Sequence, residues 1–430
     1  RLAASSGRPE KGPVSDMQSV DMPSVDMLLT AETAPAYANG VGALDGASHA
    51  VEVDGGNLNY AFRVSCADGN SIFLKQTPGF VKVLGPDAKI SDERLVLERR
   101  AYAEWEEAVG SDATAAACLP AVLHFDATRK VLILEYLGTS VLLHERLVEG
   151  HVDSGVGRAL GHFLGAAHAS THAPLLPPER ASSLAAGFSN CELRGLQLEH
   201  LFSKCYREDA RAAALREDAA FMAAVEALKA RYGGEGGTGL ALCHGDMHAG
   251  SVMVDPASGA VKVIDPEFAI YGPPGLDVGC LLSSYLLAAV LAAGRQPEAG
   301  ASDTCRRLRS AVREIWEAYA VRMKEGGVDA PTVSAAGADA AGFAGCELAR
   351  TALGYAGARG LPIADADAKA AAEAAALRVA ERCIRRRGEG VGVVLAEMDA
   401  LLLPQCPGDA GKQAGRKAGA SGGRGRGRRA

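Results

Sequence analysis

Acid and imidazole side chains crowd one stretch of the chain. His244-Gly245-Asp246-Met247-His248-Ala249-Gly250-Ser251 is followed by Val252-Met253-Val254, a turn at Asp255-Pro256-Ala257-Ser258-Gly259, and Val261-Lys262-Val263-Ile264-Asp265-Pro266-Glu267. Two short apolar runs around a Pro-Gly turn predict an antiparallel hairpin. If Val254 faces Val261, Ser251 falls opposite Ile264, and Asp246, Asp265 and Glu267 gather at one end of the hairpin. Carboxylates brought together repel one another unless a cation bridges them or one of them handles a proton. Phosphoryl transfer uses both devices: acids that hold Mg²⁺ on the phosphates, and a separate acid that orients and deprotonates the attacking hydroxyl.

A second constellation lies upstream. Lys75 sits among apolar residues in Ser71-Ile72-Phe73-Leu74-Lys75-Gln76. Leu95, Glu98, Tyr102, Trp105 and Val109 recur at helical spacing, so Glu98 falls inside an apolar stripe. A carboxylate on a buried face needs a partner, and Lys75 is the nearest plausible one; such pairs hold a lysine against nucleotide phosphates. Asp54-Gly55-Gly56-Asn57-Leu58-Asn59 opens the preceding strand. Its glycines permit close backbone approach to a phosphate and suit an ordinary loop equally well.

The elements that must position these residues fall into two groups. Residues 59–65, 71–76 and 131–136 read as strands, with one helix from the N-cap Ser91 to about Val109. Beyond Gly150 the chain is Ala-rich and mostly helical, except for residues 240–268. The expected organisation is an unstructured segment 1–30, a small β-rich N-lobe with one helix over 31–137, a large mainly helical C-lobe over 138–406, and an unstructured tail 407–430. The fold class is thus α+β and bilobal. The 430 residues, 48% hydrophobic and 23% charged, supply enough apolar material for buried cores. The net charge is −7, yet the last twenty residues carry seven Lys or Arg and no acid, so the rest sums to −14. That balance argues against non-specific nucleic-acid binding, and the terminal Gly-Arg run reads as a solvated tail rather than an RNA contact. Ten scattered cysteines without a CxxC pair fit a reducing compartment. The apolar run Leu281–Ala293 is too short to span a bilayer. A cytoplasmic protein is expected, with an organellar form left open because the sequence starts at Arg1.

These residues resemble methylthioribose kinase, a branch of the protein-kinase-like fold shared with aminoglycoside phosphotransferases and choline kinases. The resemblance covers about Gly55 to Arg382 and rests on Gly56-Asn57-Leu58-Asn59-Tyr60-Ala61-Phe62, Lys75-Gln76, Glu98 and Asn190-Cys191-Glu192-Leu193. Its most specific parts are His244–Ser251, Ile264–Pro273 and Gly275-Leu276-Asp277-Val278-Gly279. It implies ATP-dependent phosphorylation of the 1-hydroxyl of 5-methylthioribose, a step of methionine salvage, with Mg²⁺. By the same resemblance Asn59, Lys75 and Glu98 serve the nucleotide, and Glu135, Tyr136 and Leu137 form an adenine-binding hinge. Asp246 is the base and binds the acceptor, Asp265, Pro266 and Glu267 face the ATP phosphates, and Asp265, Glu267 and Ser251 hold the metal. Twin arginines expected on the acceptor side are reduced here to Arg350, followed by Thr351. A homodimer enters only as a further implication.

Other residues take plainer readings. His244 and His248 lack a third ligand at metal spacing and are expected to brace the loop by hydrogen bonds, as are His162, His168 and His172 in their helical stretch. Asp277 reads as a loop-fixing acid, and Trp105 and Trp316 as core. Two rival functions stay open: a kinase of another small alcohol, such as an aminoglycoside, choline or homoserine, and a nucleotide-binding pseudokinase.

Overall fold

Short β-branched runs closed by turn residues pair into a sheet whose inner face forms the first core. The computed structural model describes residues 28–54, 56–234, 239–295, 299–357 and 359–402. The chain divides into two compact units, one comprising the residues up to Leu95 with Leu123–Leu134, the other Val96–Val122 with the residues from Glu135 onward. The expected basic tail lies outside the described residues.

The smaller unit holds a sheet in the order β1-β2-β3-β5-β4, with β1 Ala47–Glu52, β2 Tyr60–Cys66, β3 Ser71–Gln76, β4 Val122–Asp126 and β5 Val131–Glu135. Antiparallel pairing sets Phe62 against Leu74 and Val64 against Ile72. All four are buried with Val131 and Ile133, each such side chain contributing about 1.5–3 kcal/mol. A short helix, Ala34–Gly40, closes this core with Ala34 and Ala38; it adds to the single helix foreseen for this region. Residues 28–30, foreseen as unstructured, already pack: Leu29 is buried and its N–H donates to Gln76 Oε1 at 2.7 Å.

The helix Glu93–Val109 begins where Ser91 Oγ accepts from Glu93 N–H at 3.2 Å. Leu95, Glu98, Tyr102, Trp105 and Val109 are all at most 5% exposed, so the apolar stripe with its embedded acid is real. Most of this helix belongs to the larger unit.

In the larger unit small residues let helices meet backbone to backbone. A Cβ at Gly161, in the helix Val156–Ser170, would stand 2.2 Å from the Ile315 carbonyl of the helix Ala299–Glu325. One at Gly279 would stand 2.7 Å from the Ala340 carbonyl of the helix Ala330–Ala352. The Ala and Gly content beyond residue 150 is therefore a packing device. The apolar run near 281 extends into a helix, Gly275–Arg295, whose Gly275–Gly294 portion is long and apolar enough by length and composition to cross a bilayer, against the expectation from Leu281–Ala293 alone. Most of it is buried among the neighbouring helices, as a core helix would be. Trp105 is fully buried, whereas Trp316 is half-buried and stacks on Tyr319 with ring centroids 5.6 Å apart.

Two small sheets interrupt the helices. β6 (Val141–Leu142), β8 (Val252–Val254) and β9 (Val261–Val263) form one, and β7 (Ala241–Cys243) pairs with β10 (Ile270–Gly272) in the other. Val254 lies opposite Val261, and Ile264 N–H donates to Ser251 O at 3.0 Å, which is the foreseen hairpin register.

Candidate active site

The loop that leaves β7 must turn sharply, and it does so at Gly245, whose φ is +84°. A Cβ there would fall 2.0 Å from the Phe268 carbonyl oxygen, so only glycine lets this loop lie against the turn Pro266–Phe268. Asp277, fully buried, holds both ends of the bend: Oδ2 accepts from His244 N–H at 2.7 Å and Oδ1 from Gly245 N–H at 2.9 Å. His168 Nε2 completes it at 3.1 Å from Asp277 Oδ2. One helix clamps both segments from outside. Gln197 Nε2 donates to Gly245 O at 2.8 Å, and Asn190 Nδ2 donates to the carbonyls of Glu267 (3.0 Å) and Ala269 (3.1 Å).

His244 stacks on Trp105 with centroids 6.0 Å apart. Its Nε2 lies 2.9 Å from Ile264 O and its Nδ1 accepts from Asp246 N–H at 3.3 Å, so one neutral tautomer satisfies both. His248 repeats the device: Nδ1 accepts from Gly250 N–H at 2.9 Å and Nε2 reaches Asp246 Oδ2 at 3.3 Å. Ser251 is buried and its hydroxyl donates to Asp246 O at 3.0 Å. Asp246 thus projects from a loop braced at every turn, its Oδ1 4.0 Å from Arg350 Nη2. Arg350 is 7% exposed and donates to the buried Glu347 at 2.8 Å.

Burial alone would raise the Asp246 carboxyl, but His248, Arg359 and Arg350 reverse this and hold it well below the usual carboxylate range. Burial, seconded by Arg359, pushes His248 below its ordinary 6.5 in spite of Asp246. An ionised acid held in this way can accept the hydrogen bond and then the proton of a hydroxyl, which is what a general base requires.

The folded protein therefore resists protonating His248, and His144 nearby is lowered likewise by burial and Arg359. The unfolded chain takes up those protons first as pH falls below about 6.5, so their contribution is complete above that pH and is lost below it. The thermal midpoint should fall between about pH 7.5 and about pH 5.5, and His248→Gln should flatten part of the slope. Equal slopes in both proteins would remove His248 from the account.

On the adjoining turn, Asp265 adopts a left-handed backbone at φ +67°, with its N–H donating to Tyr102 Oη at 3.2 Å. Carboxylate oxygens of Glu98, Asp265 and Glu267 lie within 4.8 Å of one another, with Glu98 and Glu267 buried and Asp265 exposed. Glu98 joins Asp265 and Glu267 as the third acid of this cluster, and Asp246 stands on the adjoining loop among His248 and Arg350. An all-oxygen donor set of this kind fits a hard divalent cation such as Mg²⁺. His168, Cys243 and Asp277 also come together, but burial drives the Cys243 thiol upward and keeps it protonated, and Asp277 is spent on the loop.

The remaining expected residues occupy defined places. In the smaller unit, Asn59 Oδ1 accepts from Thr77 Oγ1 at 2.9 Å and Arg94 Nη2 at 3.0 Å. Lys75 is buried on β3 opposite Ala61, on the other face of the strand from Leu74. In the larger unit, Glu135 accepts from Ala121 N–H at 2.9 Å and pairs with Lys262 at 3.0 Å, half-buried Tyr136 follows it, and Leu137 O accepts from Ser140 N–H at 3.0 Å. Pro266 is buried at the start of its turn. Sequence reasoning missed Gln197, Glu347 and Arg359 as parts of the site. Glu347 carried a readable signal, an acid inside a small-residue helical stretch; Gln197 and Arg359 carried none.

The chain can now be set beside known proteins. A model described as the phosphotransferase enzyme family matches residues 49–315. Methylthioribose kinase of Cronobacter sakazakii is 30% identical over 353 residues, covering 76% of this chain and 86% of that protein. Methylthioribose kinase of Erwinia tasmaniensis is 30% identical over 306 residues, covering 68% and 74%. Among solved structures, a choline/ethanolamine kinase family protein from Mesorhizobium loti matches with a TM-score of 0.44 at 16% identity, covering 83% of this chain and 94% of that one. The chain belongs to the phosphotransferase enzyme family, and is a kinase of the α+β, protein-kinase-like fold that uses ATP.

Proposed function

We propose that this protein transfers the γ-phosphoryl group of ATP to the 1-hydroxyl of 5-methylthioribose, giving the sugar 1-phosphate and ADP in methionine salvage. The observation that carries the reaction type is an ionised, loop-braced Asp246 beside a separate cluster of Glu98, Asp265 and Glu267. The acceptor class follows from 30% identity to methylthioribose kinases over most of the chain. Asp246 accepts the hydrogen bond of the acceptor hydroxyl and takes its proton as the new O–P bond forms and ADP departs. Glu98, Asp265 and Glu267 would hold Mg²⁺, which when bound neutralises charge on the phosphates. Lys75 and Asn59 would contact the nucleotide phosphates, and the backbone of Glu135 to Leu137 would meet adenine. Ser251 supports the loop through Asp246 O and keeps lone pairs for a metal. The nine described cysteines are all free thiols, which agrees with a cytoplasmic location.

Coupled ADP release with 5-methylthioribose, choline, homoserine and kanamycin tests this reading. Methylthioribose should give a kcat/KM at least about a hundredfold above the others, a difference of roughly 2.7 kcal/mol in transition-state binding. Preference for any other acceptor would overturn it.

A further inference from the structure

After the helix Ala330–Ala352 the chain turns at Gly354, φ +85°, and Arg211 Nη2 ties the helix end by donating to Leu353 O at 2.8 Å. The returning segment brings Arg359 back to Glu347, where Arg359 Nη1 donates to Oε1 at 3.1 Å. Arg350 Nη2 donates to the same oxygen at 2.8 Å. The Arg359 stem also crosses the Asp246 loop: a Cβ at Gly250 would stand 3.9 Å from Arg359 Cδ. Two guanidiniums from separate segments therefore share one buried carboxylate beside Asp246.

Their donors outnumber the acceptors present. Each guanidinium carries five N–H groups, and Glu347 and Asp246 absorb few of them. Arg350 is 93% buried by its 7% exposure, and among the described residues its Nε has no hydrogen-bond partner. An orphaned buried donor is costly unless a ligand satisfies it. A donor surplus of this kind suits a ligand rich in hydroxyl oxygens and disfavours a quaternary ammonium. Thr351, buried at 5% exposure, offers no guanidinium of its own.

We infer that Arg359 supplies the second guanidinium of a split pair with Arg350, which holds the oxygens of a polyol acceptor against Asp246 and sets acceptor specificity. The inference rests on the reading of the protein as a sugar kinase. Arg359 is a specificity residue here and not a proton-transfer group.

The test is steady-state kinetics of the full chain and of Arg359→Gln and Arg359→Lys, with ATP and acceptor varied separately and the thermal midpoint recorded. Arg359→Gln should raise KM for 5-methylthioribose about tenfold or more while KM for ATP stays within about twofold, the loss expected for one charge-assisted hydrogen bond. Arg359→Lys, which keeps the charge on Glu347, should recover stability but only part of acceptor binding, because an ammonium lacks the forked geometry. An acceptor KM unchanged in both variants would overturn the inference and leave the kinase reading standing. If the unaltered protein ignores methylthioribose but phosphorylates kanamycin, with Arg359→Gln raising that KM, the acceptor reading fails and the arginine pair survives. Preference for choline would sink both.

Discussion

Asp246→Asn should lower turnover about a thousandfold while nucleotide affinity stays within about twofold, the loss typical of removing a positioned general base. The substitution keeps the shape of the side chain, and the loop does not depend on the carboxylate: Ser251, His244 and Asp277 hold it through backbone atoms. What disappears is an ionised acceptor kept ready by His248, Arg359 and Arg350. The carboxylate cluster of Glu98, Asp265 and Glu267 is untouched, so metal-dependent nucleotide binding should persist. Coupled ADP release and an ATP titration followed by intrinsic fluorescence measure the two halves. Turnover within tenfold of the parent would remove Asp246 from the proton path, and a parent protein with no turnover on any acceptor would point to a binding module.

Local chemistry made part of this readable in advance. The hairpin register follows from two apolar runs and a turn, and the structure returns Val254 opposite Val261. The helix Glu93–Val109 follows from a cap and a stripe. Neither β1 nor β4 could be read so. β1 lies at a sheet edge with a bulge between Ala47 and His49, and its exposure does not alternate. β4 is the opposite edge strand and is only partly buried along its length. Edge strands lack the one-sided burial that writes a period of two into sequence. The acids that gather around Glu98 were not legible for a different reason. A buried acid announces that it needs company, but which distant residue supplies it depends on how loops return, and Asp265 reaches the cluster through a left-handed backbone that nothing in its type demands. Arg359 is the same lesson from the other side, since it meets Glu347, twelve residues earlier in the chain, only because the segment after Ala352 returns.

Asp277 carries the largest stability consequence. It is fully buried, and its two oxygens serve His244 N–H, Gly245 N–H and His168 Nε2 together. His168 in turn lies 3.4 Å from Tyr319 Oη through Nδ1. Asp277→Ala leaves two backbone donors and His168 Nε2 without their acceptor in the interior, and should cost about 3–5 kcal/mol in unfolding free energy. Asp277→Asn separates charge from geometry. An amide keeps one acceptor oxygen but turns an NH₂ group toward a donor, whichever way it is placed, so one of the two N–H groups at the Gly245 bend must be lost. It should cost less, about 1–3 kcal/mol, yet still lower turnover, because Asp246 follows the freed bend directly. Urea unfolding and ADP release on both variants check this. If Asp277→Ala unfolds at the parent midpoint with parent turnover, the bend at Gly245 is held by Gln197 and the Phe268 turn alone, and the buried acid has no part in placing the base.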